Sequence, residues 1–269
     1  FGADSEVSLT HVADTGLLLN STSKLMFGDS ASFIHQSSDG NLKLDGESTV
    51  EIASTGGVKL TGTTPTLTIG DAGAEDAKIV FDGNAVDYHI GLDDSADKLT
   101  IGKGSALGTT TALTIDENGI ITAPLQPSFS VKPNAQQNNV AADNSQTVIQ
   151  FDNEQFDTNG DYDTSNYRFT APVTGIYQFN LTLRMDNLDA SANYYSIFFA
   201  FPTGRFAPFL FDPNLASNSD VNIPYFPAVL ALTIDLDAND TIDARIQQSN
   251  GTAETDIITD SFFSGFLVG

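Results

Sequence analysis

Apolar and polar residues alternate along most of this chain, and they do so in short bursts. A period of two puts successive side chains on opposite faces of an extended backbone, so each burst predicts a strand with one covered and one wet face. In the first half the bursts lie at 16–19, 24–27, 32–35, 41–44, 49–52, 58–60 and 66–69, separated by Gly, Asp, Ser and Thr. They lengthen slightly at 78–81, 86–90, 98–101, 112–115 and 119–122. Apolar residues spaced for a helix face are nearly absent, so the chain is predicted to be all-β.

Past Pro124 and Pro127 the bursts change character. Strands are predicted at 128–131, 167–169, 176–185, 194–201, 206–211, 221–225, 228–236 and 241–246, with a closing strand at 261–267. A polar loop at 157–166, crowded with Asp, Asn, Gly and Ser, precedes two of them; such residues hydrogen-bond their own backbone and tolerate left-handed conformations. This half reads as a β-sandwich. The boundary falls at 126/127, dividing a fibrous β-rich stalk, 1–126, from a globular head, 127–269.

The stalk strands are too short to stand alone. Burying one large apolar side chain returns about 2 kcal/mol, whereas ordering each residue's backbone costs about 1–2 kcal/mol. The stalk is therefore expected to be homotrimeric, its short strands intertwined or stacked so that each chain completes its neighbours' core.

The spacing of particular residues in the head adds a resemblance. Phe151, Asp157, Tyr162, Phe169, Gly175, Tyr177 and Phe179 stand at the separations of the signature of the complement C1q globular-domain family, with Leu181 where that family has an aromatic residue. The ending Ser261-Phe-Phe-Ser-Gly-Phe-Leu267 is similar to the end of those domains. The resemblance covers 127–269 and implies a ten-strand jelly roll that assembles as a compact trimer. The stalk's phrases, such as Asn41-Leu-Lys-Leu-Asp-Gly46, resemble bacteriophage tail or head fibre proteins. Together the resemblances imply a trimeric viral fibre or spike. Its head would bind a host cell-surface receptor, a carbohydrate by expectation, and three modest sites on one stalk would gain avidity. The place of action would be the virion surface, extracellular, with other virion proteins held through whatever precedes Phe1. A secreted C1q-domain lectin and a purely structural decoration fibre stay open as alternatives.

Charge and composition narrow the partners. The chain carries 11 Lys plus Arg against 35 Asp plus Glu, a net charge of −24 shared equally by stalk and head. Such a surface repels nucleic-acid phosphates and anionic membranes. No apolar run is long enough to span a bilayer, and no basic-then-apolar leader opens the chain, whose first residue is Phe. It is accordingly read as a processed or truncated product. There is no Cys, so neither disulfides nor thiolate metal sites are available.

Candidate chemistry is sparse. Asp157, Asn159, Asp161 and Asp163 place oxygen ligands at alternate positions, as a calcium loop does, although Tyr162 and Arg168 stand where a helix-loop-helix calcium motif needs Gly and Glu. Calcium is the one cofactor they suggest; a solvated turn is the plainer reading, and the same holds for Asp235, Asp237, Asn239 and Asp240. His11, His35 and His89 form no pair at ligand spacing, but His35 presented three times around a trimer axis would make a three-histidine metal site. No catalytic nucleophile or phosphate-cradling loop is present, so no enzyme is expected. The aromatic-rich 194–211 is expected to serve mainly core and interface, with Tyr194, Arg205 and Phe206 as receptor-binding candidates.

Overall fold

The computed structural model describes residues 9–12, 16–19, 24–26, 31–46, 48–140, 144–215 and 221–269. Contacts group the chain into two compact units, Phe1–Thr68 and Ile69–Gly269.

In the first unit β1 (Leu9–Val12) pairs antiparallel with β2 (Gly16–Leu19), and β3 (Leu25–Met26), β4 (Phe33–Ser38) and β5 (Asn41–Asp45) form a three-stranded antiparallel sheet. Phe27, the last residue of the burst at 24–27, lies outside the described residues. The bursts at 49–52, 58–60 and 66–69 form no strand. Their apolar side chains, Ile52, Val58, Leu60 and Leu67 among them, are exposed, because a lone extended segment has no neighbouring edge to complete its hydrogen bonds within this chain.

The second unit opens with a five-stranded antiparallel sheet of β6 (Ala77–Phe81), β7 (Tyr88–Asp93), β8 (Lys98–Lys103), β9 (Thr111–Ile115) and β10 (Ile121–Thr122), paired in chain order. Alternation gives this sheet one largely apolar face, interrupted by Lys103 opposite Tyr88. Ile79, Ile90, Ile101 and Leu113 form one row across four strands, and Leu92, Leu99, Ile115 and Ile121 form the next. Phe81 lies opposite Tyr88 at the end of the face. Ile79, Phe81, Tyr88, Leu92, Leu99, Ile101 and Ile121 are each 38–63% exposed, so among the described residues of this unit none covers this face.

The remainder is a sandwich. Its strands are β11 (Ser128–Lys132), β12 (Gln146–Val148), β13 (Asn153–Asp157), β14 (Tyr162–Asp163), β15 (Arg168–Thr170), β16 (Gly175–Leu188), β17 (Tyr194–Phe201), β18 (Gly204–Phe211), β19 (Ile223–Leu236), β20 (Thr241–Ser249), β21 (Asp256–Ile257) and β22 (Phe262–Leu267). One six-stranded sheet runs β13-β11-β22-β16-β19, with β21 on β16; the other runs β14-β15-β20-β17-β18, with β12 on β20. The jelly-roll expectation holds, with two more strands than the expected ten because short pairings such as β14 and β21 are hard to see in isolation.

Between the sheets lies an aromatic core of Phe129, Phe151, Phe169, Tyr177, Phe179, Phe199 and Phe263, all buried. Every apolar residue of the family spacing points here, including Leu181, which lies opposite Phe263 on the neighbouring strand. The glycines of the pattern are fixed by packing. A Cβ on Gly265 would stand 2.5 Å from the Phe179 ring, and one on Gly175 would stand 2.8 Å from Leu267. Asp157, the one polar member, caps its turn by accepting from the amides of Gly160 (3.0 Å) and Tyr162 (2.8 Å). The spacing is thus a signature of folding. Strands β11 and β22 are neighbours, Leu267 N donates to Pro127 O at 3.0 Å, and Gln126 Nε2 donates to Leu267 O at 3.0 Å.

A buried polar knot closes the far end. Tyr195 Oη bonds Thr255 Oγ1 (2.7 Å) and Gln248 Oε1 (3.1 Å), while Asp189 accepts from Ser191 N (2.8 Å), Ser191 Oγ (2.7 Å) and Thr252 N (2.5 Å). Burial pushes the Asp189 carboxyl up, but the hydrogen bonds from Ser191 and Thr252 together outweigh it and hold the group below 3.8. A carboxyl depressed in the folded state contributes stability above its unfolded pKa and loses it as pH falls through the folded value. Thermal melts should therefore lose this contribution only as pH falls below about 4, with Asp189→Asn less stable at pH 7 and showing a shallower acid drop.

Candidate functional site

The outward face of the second sheet collects cations in a strongly acidic chain. Along β20, Ile242, Ala244 and Ile246 point into the core, which turns Asp243, Arg245 and Gln247 outward. Phe169 is buried opposite Ile242, so its neighbour Arg168 also faces out. Ala200 of β17 pairs with Asp243 on one side and with Arg205 of β18 on the other. Arg205, Ala200, Asp243 and Arg168 thus lie side by side across four strands. The small Ala200 side chain leaves a cavity of about 480 Å³ over the middle of that row, with Gln146, Pro202, Gly204 and Thr241 among its walls.

Asp243 organises this cavity. It is 2% exposed and holds two guanidinium groups: Arg168 through Nε (3.2 Å) and Nη2 (2.9 Å), and Arg245 through Nε (2.5 Å) and Nη2 (3.0 Å). Hydrogen bonding to Asp243 holds Arg245 above its already high ordinary pKa, against the opposing effect of burial. Arg205 is outside this pair of forks; its guanidinium stacks over the Phe198 ring at 5.2 Å and touches Gln247 Oε1 at 3.5 Å. Three of the chain's four arginines therefore surround a single carboxylate, a local excess of two positive charges where the chain as a whole carries −24. Nη1 of Arg168 and Nη1 of Arg245 make no hydrogen bond among the described residues, so donors remain to meet an incoming anion.

The sequence-derived candidates fall in different places. Arg205 lines the cavity. Tyr194 is half-buried at the opposite end of β17, paired with Ser249, and Phe206 packs its ring against the core beside Phe199. Most of 194–201 is core, as expected from its aromatic density.

Asp157, Asn159, Asp161 and Asp163 share one turn. Asp163 accepts from Ser165 N (2.8 Å), Ser165 Oγ (2.6 Å) and Asn166 Nδ2 (2.5 Å), while Asn159 Nδ2 donates to Asp161. With Asp157 also occupied by amides, these side chains fit a turn that satisfies itself better than an open cation cage. Among the described residues no three His, Asp or Glu side chains gather as metal ligands. Asp237, Asn239 and Asp240 form the tight turn between β19 and β20, with Asn239 left-handed at φ 74°. His35 lies 3.2 Å from Asp45, His89 is buried with Nδ1 2.8 Å from Gly104 O, and the side chain of His11 lies outside the described residues.

Arg168, Asp243 and Arg245 were not among the sequence-derived candidates. The available signal was the alternation on β20, which puts Asp243 and Arg245 on one face; Arg168 joins them only through strand pairing across a long stretch of chain.

Residues 128–268 match the family model described as the C1q domain. Among solved structures the chain is similar to the globular domain of zebrafish complement 1qA protein, at 17% identity and a TM-score of 0.38, covering 54% of this chain and 98% of that one. It is also similar to murine APRIL, at 11% identity and a TM-score of 0.37 (53% and 99% covered), and to Eiger TNF from S. frugiperda, at 12% and 0.38 (54% and 92% covered). No curated protein matches the chain.

Proposed function

This chain belongs to the C1q-domain family, and from that premise we propose that it works as a homotrimeric fibre of bacteriophage type, whose head, 127–269, binds a receptor on a host cell surface. C1q domains are binding domains that typically trimerise, and the fibre reading extends that behaviour to the stalk, 1–126. One observation carries it: the uncovered apolar face of β6 to β10. Rows of Ile and Leu left half in water are a docking face, and the same face on two further copies would cover them. The first sheet of the sandwich supports the same reading, since Phe156, Ile176, Tyr225, Val229, Phe262 and Phe266 are all exposed on it or at its edge. The stalk's resemblance to phage fibres supplies the viral setting, with virion proteins as partners and the virion surface as the place of action. Binding needs no chemistry, so the chain is proposed to have no enzymatic activity.

Light scattering on the intact chain should give about three times the 28.6 kDa chain mass. A chelator should leave that mass unchanged, because the acidic turn satisfies itself; dissociation on chelation would bring calcium back. A monomer at micromolar concentration would sink the fibre reading.

A further inference from the structure

The cavity over Ala200 bears on what the head recognises. We infer that the pocket formed by Arg168, Arg205 and Arg245 around Asp243 binds an acidic saccharide, its carboxylate or sulfate held by the arginines and its hydroxyls by Gln146 and Thr241. This deepens the receptor-binding reading and rests on it.

Charge makes the first argument. Most of this chain's surface repels anions, and a built exception to that rule needs a reason. If Arg168 and Arg245 served only to neutralise Asp243, two guanidinium groups would exceed the need of one carboxylate. Arg205 forms neither a hydrogen bond nor an ion pair with Asp243 and is held by Gln247 and Phe198 instead. Geometry makes the second. Asp243 grips the Nε and Nη2 edges of both partners, which fixes those planar groups and leaves each Nη1 without a hydrogen bond among the described residues. Arginine forks preset in this way lose little side-chain freedom on meeting a carboxylate or sulfate. Arg205 is held from below by Phe198. The lining makes the third. An amide and a hydroxyl stand beside the cations, and the volume of about 480 Å³ suits one or two sugar rings.

The test uses the intact chain and four probes: glucuronic acid, N-acetylglucosamine 6-sulfate, neutral glucose and a short poly-glutamate, each titrated by ligand-observed NMR. One or both acidic sugars should bind, which of the two identifying the acidic group, and glucose should not. Arg205→Ala should weaken the binding at least tenfold with an unchanged melt, because Arg205 is not needed to neutralise Asp243. Arg205→Lys should restore part of it, and raising the salt concentration should weaken it in the unaltered chain. Glucose binding as tightly as the acidic sugars would overturn the inference, as would poly-glutamate doing so, which would make the pocket a general anion patch. A change in mass of Arg205→Ala without a change in sugar binding would assign the arginines to a subunit contact and overturn it as well. Failure of both acidic sugars while the intact chain is still retained on an array of neutral glycans would reject this pocket and leave the receptor-binding reading standing.

Discussion

Phe179→Ala should cost the sandwich about 3–5 kcal/mol, enough to remove much of a typical domain's stability. Phe179 sits at the centre of the aromatic core, with the rings of Phe129, Phe169, Tyr177, Phe199 and Phe263 all centred within 6.4 Å of its own. Removing it opens a cavity that its neighbours cannot fill, because they are pinned by one another and by Gly265, whose missing side chain already lets the rings approach. The denaturant midpoint of the head transition reads the loss. Phe179→Leu should recover more than half of it, since most of the volume returns. A cost below about 1 kcal/mol for the alanine variant would mean that the core is not packed as described.

Ile101→Asp should dissociate the assembly. Ile101 lies in the middle of the apolar face, between Ile90 and Leu113 in its row, and is 39% exposed in the single chain. Within one chain the substitution is nearly harmless, because the position can reach water. In a trimer closed on this face it brings three carboxylates together without partners, and an unpaired buried charge costs several kcal/mol per site. The mass by light scattering should fall from three chains toward one at micromolar concentration. Lys98→Asp, at an exposed position on the opposite face of β8, should leave the mass unchanged. A trimer that survives Ile101→Asp with an unaltered melt would show that the face is not the interface, and the fibre proposal would lose its main support.

These two substitutions mark the limits of reading the sequence. The alternation over 176–185 was legible because Tyr177, Phe179, Leu181, Leu183 and Met185 all face one core, and the strand runs on to Leu188. Local pattern suffices where the partner surface is in the same chain. It also misled. Separate strands are expected at 221–225 and 228–236, where the structure has the single strand β19 running through Pro224 and Pro227; this strand lies at a sheet edge with β16 as its neighbour, where a missing amide donor is tolerated. The bursts at 49–52, 58–60 and 66–69 carry strand pattern without strand pairing, because pattern reports a preference for being covered and does not say what covers it. The arginine pocket was hardest to see. Arg205 stood out for its rarity, but Arg168 and Asp243 meet only because β15 docks beside β20, and no local signal announces that pairing.

The adjoining β11 and β22 put the entrance and the exit of the sandwich side by side. The strand that enters the sandwich and the strand that completes it lie hydrogen-bonded to each other, and Gln126 ties the threshold to Leu267. Because its first and last strands adjoin, the sandwich presents both of its ends at one edge, and a graft that keeps that pairing leaves the order of strands within it undisturbed.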